Sequence, residues 1–424
     1  MKLIPGCINK IIMTGLTLLF AWITIGQSVQ ANPAFARQYG VSCATCHAAF
    51  PRLNSFGMQF LADNIRLPNW RESIGVDTGD DRLMLPKMPQ VAFRAQAYVK
   101  AREADAKDSN GNTTADPYAD IQSPYLIKLM AGSPLSDNIS YYFYAIFAEK
   151  GGNGEVIVED AWITHNDVFS SGISMMLGQF QISDLMFGRE TRLTVQDFMA
   201  YRMAGITYDR GAIFSKNIGA LSLGLGVVNG NGIDFNAKVN SAGYARPDRS
   251  FDNDTSKTVF GRIGSSFNIT NFGLFGLSGR QKDAAENLST DKTIVGVDIS
   301  GNHNDQIFWF MQFLHNRWDD FLVKGKTATW NGGFAGVDYV YNDRWTYSLL
   351  YNYADANDLA DSRTEYEGIS INTLTATASY YFMRNVKGLL EVNWDFQAKD
   401  DITSDAFGHN TKERYVLVGF DTAF

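Results

Sequence analysis

Residues 90–102 read QVAFRAQAYVKAR, and residues 138–148 read NISYYFYAIFA. In the first run Val91, Phe93, Ala95, Ala97 and Val99 fall on one face of an extended chain. Gln90, Arg94, Gln96 and Lys100 fall on the other, together with Ala92 and Tyr98. In the second, Tyr141, Phe143, Ala145 and Phe147 alternate with Tyr142, Tyr144 and Ile146. Successive side chains of a strand point to opposite faces, so this period of two predicts strands with two different environments. A soluble sandwich uses shorter strands at closer spacing. Alternating runs of about ten residues match a β-barrel that crosses a bilayer.

The pattern continues to the end of the chain. Runs begin near residues 90, 122, 138, 155, 171, 203, 217, 257, 271, 290, 304, 332, 343, 370, 385 and 412, which predicts an antiparallel barrel of about sixteen strands. The connections alternate in length. Long ones span 103–121, 180–201, 229–256, 317–330, 354–368 and 398–411; short ones include residues 132–137, 268–271, 341–344 and 383–386. Outer-membrane barrels have short periplasmic turns and longer external loops. The asymmetry therefore predicts a mainly β fold in the bacterial outer membrane, in contact with its lipid, with both termini on the periplasmic side. The final strand alternates up to Phe424, and Trp309, Trp318, Trp345, Tyr347 and Trp394 are candidates for interfacial girdles.

Composition agrees. The 424 residues carry a formal charge of −8, only 19% charged side chains, 13% aromatics and 38 Gly. A soluble α/β enzyme carries more charge and clear helical runs. The acidic balance argues against nucleic acid as a partner. At the N-terminus, Lys2 and Lys10 precede the apolar run IIMTGLTLLFAWITIG, and Val29-Gln30-Ala31 offers a cleavage site. Residues 1–31 thus read as an export signal.

Between the signal and the first strand lies a different region, residues 32–89. It contains Cys43, Cys46 and His47, a C-x-x-C-H sequence in a chain with three Cys in all. Two thiols at this spacing can bond the two vinyl groups of one porphyrin, and the adjacent imidazole can ligate its iron. The triplet alone also permits half a zinc site, a redox pair or a disulfide. No second Cys pair completes a zinc site, and no βαβ pattern surrounds the motif. Ala34–Gly40, Ala44–Phe50 and Asn54–Ala62 read as helical, with Pro51 disturbing the second. The region is too small to enclose a haem alone. Folded into the barrel mouth it gains walls and plugs the pore; hanging below the barrel it does not.

A second axial ligand is less defined. Met88 and Met84 lie in the Pro-flanked run RLMLPKMPQ, and Met58 lies beyond His47 on the far side of Pro51. A barrel residue such as His165 is a further option. Acidic loop runs at Asp319-Asp320, Asp355 to Asp361, and Asp400, Asp401 and Asp405 could draw cations to the mouth, although solvated loop charge is the commoner reason for such runs.

Residues 32–60, NPAFARQYGVSCATCHAAFPRLNSFGMQF, carry a family resemblance. Pro33, Ala34, Phe35, Ala36 and Arg37, then Cys43, Cys46 and His47, then Pro51, Leu53, Asn54 and Gly57 are similar to the N-terminus of the fused cytochrome c–porin family of the bacterial outer membrane. The best-known members are iron oxidases. The resemblance implies one covalent haem c held by Cys43, Cys46 and His47. It implies Fe(II) outside the cell as electron donor, and a periplasmic c-type cytochrome or other periplasmic carrier as acceptor. A conduit with another donor or acceptor, and a solute porin with an accessory haem segment, are the other readings.

Overall fold

A computed structural model of the chain describes residues 33–67, 75–77, 79–80, 82, 84–86, 90–103, 106–107, 113–115, 118–149, 156–230, 252, 254–283, 288–321, 324–355, 370–396 and 414–424. The export signal expected at 1–31 lies outside them. The described chain opens with helix α1 (Pro33–Tyr39), a small hairpin of β1 (His47–Ala49) and β2 (Arg52–Leu53), and helix α2 (Ser55–Ala62).

Sixteen further strands close into one antiparallel barrel. In chain order they are β3 (Val91–Glu103), β4 (Tyr118–Pro134), β5 (Ile139–Glu149), β6 (Ile157–His165), β7 (Ser174–Gln181), β8 (Tyr208–Ile218), β9 (Leu221–Val228) and β10 (Thr258–Phe267). Then follow β11 (Thr270–Asp283), β12 (Leu288–His303), β13 (Ile307–Asp319), β14 (Thr327–Val340), β15 (Trp345–Asp355), β16 (Ser370–Met383), β17 (Val386–Asp395) and β18 (Arg414–Ala423). Neighbours in sequence pair, and β18 returns to pair with β3, Arg414 opposite Glu103 and Ala423 opposite Arg94. Closure leaves no open sheet edge. The strands begin within a few residues of the positions expected from alternation, because a two-sided barrel strand keeps its period over its whole length.

The two faces differ as a membrane barrel requires. Along β13, Met311 and Phe313 are exposed on the outer surface, whereas Phe308, Phe310, Gln312, Leu314 and Asn316 are buried on the inner one. Leu225, Leu274, Val295, Leu349 and Phe420 continue the exposed apolar belt. Such a belt is stable against hydrocarbon and costly against water. Of the aromatics expected in girdles, Tyr347 and Trp394 face outward; Trp318 instead points inward and is fully buried against Trp330 and Phe321.

One expectation changes substantially. The long connection at 180–201 reads as an external loop, but residues 182–207 fold back inside the barrel. Their helix α3 (Met199–Ala204) packs on the inner face of β14 and β15. Phe198 stacks on Phe334 with centroids 4.2 Å apart, and Tyr201 meets the same ring edge-on at 5.1 Å. Phe198, Met199, Tyr201 and Met203 share one core with Phe310, Leu314, Trp318 and Trp330. Burying such side chains contributes about 1.5–3 kcal/mol each. The polar groups carried inward find partners, as burial demands. Arg189 Nε donates to Asp197 at 3.1 Å; Glu391 accepts from the Val195 and Gln196 amides at 2.6 and 3.0 Å; Asn352 accepts from the Met199 amide at 3.1 Å.

Candidate functional site

The C-x-x-C-H residues sit on a loop that the following signature residues hold in shape. Cys43–Thr45 form one 3₁₀ turn, and His47 begins β1. A helix over Ala44–Phe50 does not form. Asn54 is the reason: its side-chain amide donates to the carbonyls of Ala44 and Thr45, both at 3.1 Å, and its backbone N–H donates to the Cys46 carbonyl at 3.0 Å. These carbonyls are thus satisfied from outside rather than by a helical ladder. The Asn54 side-chain oxygen meanwhile accepts from the Gly57 amide at 2.8 Å and caps α2. Gly57 lies so close to the loop that a Cβ there would overlap the Cys46 carbonyl.

His47 Nδ1 lies 3.2 Å from the Pro51 carbonyl oxygen. As donor in that bond, Nδ1 carries the proton and Nε2 keeps a free lone pair. Burial holds the imidazole pKa down to about 4, against the raising effect of backbone bonds to Pro51 and Arg52. The ring is neutral at ordinary pH, the form that binds metals. Neither Cys43 nor Cys46 is in a disulfide, and burial raises the Cys46 thiol pKa.

All three side chains line one cavity of about 220 Å³ between this segment, the barrel wall and the inward-folded loop. The segment supplies Phe35, Tyr39, Phe60, Ile65 and Leu67; the wall supplies Arg94, Lys128, Met130, Tyr142, Tyr144 and Trp162; the loop supplies Asp184, Glu190 and Thr191. A second cavity of about 400 Å³ adjoins it, sharing Leu53, Leu61, Asp160, Trp162 and Asp184 among its walls. Together they reach the several hundred cubic ångströms (roughly 300–1,000) typical of cofactor sites. Phe56 and Leu61 are 45% and 48% exposed, yet both border this interior space. Exposed apolar surface of this kind occurs at ligand grooves and at protein or membrane contacts. Two thiols, a neutral imidazole and an apolar slot suit a flat, metal-bearing group.

The barrel grips this segment at the end carrying the short turns. Gln38 donates to Ser133 Oγ at 2.6 Å, Asn64 pairs with Asn166, Arg66 with the Asp137 carbonyl, and Ser55 donates twice to Asp305, at 3.0 and 2.9 Å. Deeper in, Arg52 forms an ion pair with Asp338 and lies over the rings of Phe308 and Phe310. The Phe50 carbonyl accepts from Lys387 Nζ at 2.8 Å and from the Tyr381 hydroxyl at 3.1 Å, while the Arg94 guanidinium stands 4.8 Å over the Phe50 ring.

The methionines considered as a second axial ligand separate. Met88 lies outside the described residues, and of Met84 only the backbone is described. Met58 borders the adjoining cavity, not the one holding Cys43, Cys46 and His47. His165, at the end of β6, accepts from the Asp167 amide at 3.2 Å and lines neither cavity. Sequence reading missed Arg94, Lys128, Met130, Tyr142, Tyr144 and Trp162. Each stands on the inward phase of its strand, a signal that names a face but not a neighbour. Asp400, Asp401 and Asp405 lie outside the described residues, and Asp319 is tied to Arg317 and Thr327. Among the described residues no group of three or more His, Cys, Asp or Glu is placed to hold a metal ion.

No family model matches the chain, and no curated protein matches it. Solved structures do. An anion-selective porin from Comamonas acidovorans is similar with a TM-score of 0.54 at 14% identity, over 79% of this chain and 98% of that one. The outer-membrane channel DcaP of Acinetobacter baumannii gives 0.53 at 12% identity, over 79% and 97%. OmpF of Salmonella typhi, solved in complex with daunomycin, gives 0.52 at 12% identity, over 79% and 98%. The chain therefore has a porin-like barrel fold.

Proposed function

We propose that this chain is an outer-membrane monohaem cytochrome–porin that oxidises extracellular Fe(II) and passes electrons to a periplasmic c-type cytochrome or other periplasmic carrier. One observation carries the reading: two thiols that are in no disulfide and a neutral imidazole line a single, mainly apolar cavity whose other walls come from the barrel and the inward loop. Haem c, when bound, supplies one-electron chemistry. The residues present fit it. Cys43 and Cys46 would tether it, His47 Nε2 would ligate its iron, and Phe35, Phe56, Phe60, Leu61 and Trp162 would exclude water. Exclusion of water and the barrel wall insulate the group, and the short-turn end where the segment sits is taken as the periplasmic side. The acidic extracellular loops favour a cationic donor.

The test is full-length protein made with haem-maturation machinery. Covalently bound haem that survives denaturation, absent in Cys43→Ala/Cys46→Ala, supports the reading, as does prompt reduction on adding Fe²⁺ under anoxia. A product without bound haem overturns it; bound haem that Fe²⁺ leaves oxidised points to another donor or to outward transfer. The porin-like barrel itself favours a second reading, a solute porin with an accessory segment. Porin-sized conductance of the intact chain in a planar bilayer would favour that reading.

A further inference from the structure

Resting on that reading, we propose that the second axial ligand comes from the barrel wall, as the thioether of Met130. Three features of β4 point to it. First, Met130 stands opposite Ala92 of β3 and Tyr144 of β5, which are 0% and 1% exposed. Residues directly opposite share a face, so Met130 looks into the lumen, with a small Ala92 beside it.

Second, its neighbours on that face are fixed to the two bodies that bound the cavity. At Gly132 a Cβ would stand 3.1 Å from Phe35 and 3.2 Å from Ile65, so the N-terminal segment lies flush against the strand there. At Lys128, Nζ donates to Glu190 of the inward loop at 2.6 Å. Same-face residues are about 7 Å apart along a strand. Met130 is therefore the position between segment and loop, opening onto the gap that Cys43, Cys46 and His47 also face.

Third, the chemistry of the lining selects it. Among the described residues around this cavity, Met130 is the side chain outside the attachment motif that carries a thioether or imidazole. The charged residues of the lining outside the motif are Arg94, Lys128, Asp160, Asp184 and Glu190. Thioether opposite imidazole raises a haem's potential relative to a pair of imidazoles. That direction suits a protein taking electrons from a weak reductant. The alternative role for Met130 is packing against Tyr144 and Leu126, and a ligand-specific readout separates the two.

Full-length protein carrying covalent haem is compared with Met130→Leu, which keeps the bulk and removes the sulfur, and with Met130→His. In the oxidised parent, the near-infrared charge-transfer band of sulfur–iron ligation is expected. Met130→Leu should lose it, turn high-spin, and bind added imidazole when oxidised, or CO when reduced, at least tenfold faster. Met130→His should restore a low-spin spectrum without that band and shift the potential downward. Met58→Leu should leave the spectrum unchanged. A parent lacking the band, or Met130→Leu with the parental spectrum, overturns the proposal while leaving the tether at Cys43 and Cys46 intact. A parent carrying no covalent haem overturns this proposal and the functional reading together.

Discussion

Gly57 of α2 rests on the carbonyl of Cys46, in contact too close for any side chain between them. The glycine is required by approach rather than by backbone angle. It lets the capped end of α2 press against the loop that presents the two thiols. Gly57→Ala is expected to push α2 off that loop at a cost of about 1–3 kcal/mol, the usual range for overpacking. On the proposed reading, haem attachment yield on a denaturing gel should fall several-fold. Gly276→Ala is the control, since a Cβ there meets open space.

Arg52 joins the hairpin to the wall through Asp338, with side chains 14% and 1% exposed. Ser348 Oγ also donates to Asp338, at 2.5 Å. Arg52→Ala would leave the carboxylate buried without its cation, which costs about 3–5 kcal/mol for a pair of this kind. The thermal midpoint should drop, and Asp338→Asn added to Arg52→Ala should recover part of it. A double-mutant cycle showing no coupling would mean that the pair does not hold the segment.

Acid should loosen the inward loop. Burial works against ionisation of Glu190 and Asp197. For Glu190 the cations Lys128 and Arg192 outweigh it and hold its pKa down to about 2; for Asp197, Arg189 and Arg192 hold it well below the usual carboxylate range. A carboxylate with a depressed folded pKa contributes stability that is full above its unfolded pKa and disappears as pH falls through the folded one. The loss therefore starts near 4.5, the ordinary value for Glu, and grows toward pH 2. Hydrogen exchange of residues 182–207 should rise across that window. Glu190→Gln should weaken the pH dependence and expose the loop even at neutral pH, because Lys128 loses its partner.

These dependences also show what the amino-acid pattern could and could not convey. Barrel strands announce themselves because every second residue of a run such as Val91–Val99 meets lipid and the intervening ones do not. The pattern survives regardless of what fills the lumen. The inward loop gives no such sign. Its Phe198-Met199-Ala200-Tyr201 run is apolar, but its partners Phe310 and Phe334 lie more than a hundred residues away on another part of the ring. The loop around Cys43 misleads for a related reason. Ala44–Phe50 reads as helical along the chain, and the side chain that prevents it, Asn54, acts from beyond Pro51. Cys43, Cys46 and His47 were legible as a local spacing, whereas Arg94, Lys128 and Met130 reach the same cavity only through barrel closure.

Two bodies contact inward-facing residues of the barrel, the segment 33–67 at the short-turn end and the loop 182–207, and conductance can tell them apart. Excision of residues 33–67 removes the anchors at Ser133, Asp305 and Asp338 but leaves the Glu391 and Asn352 bonds that hold the loop. The intact chain should pass little current in a planar bilayer. The excised chain should pass several-fold more, yet stay below an open sixteen-stranded pore, because α3 still packs on β14 and β15. Adding Glu391→Gln to the excision should open it further, since the carboxylate that accepts from the Val195 and Gln196 amides is then gone. Unchanged conductance on excision would mean that the segment does not occlude the barrel in the membrane.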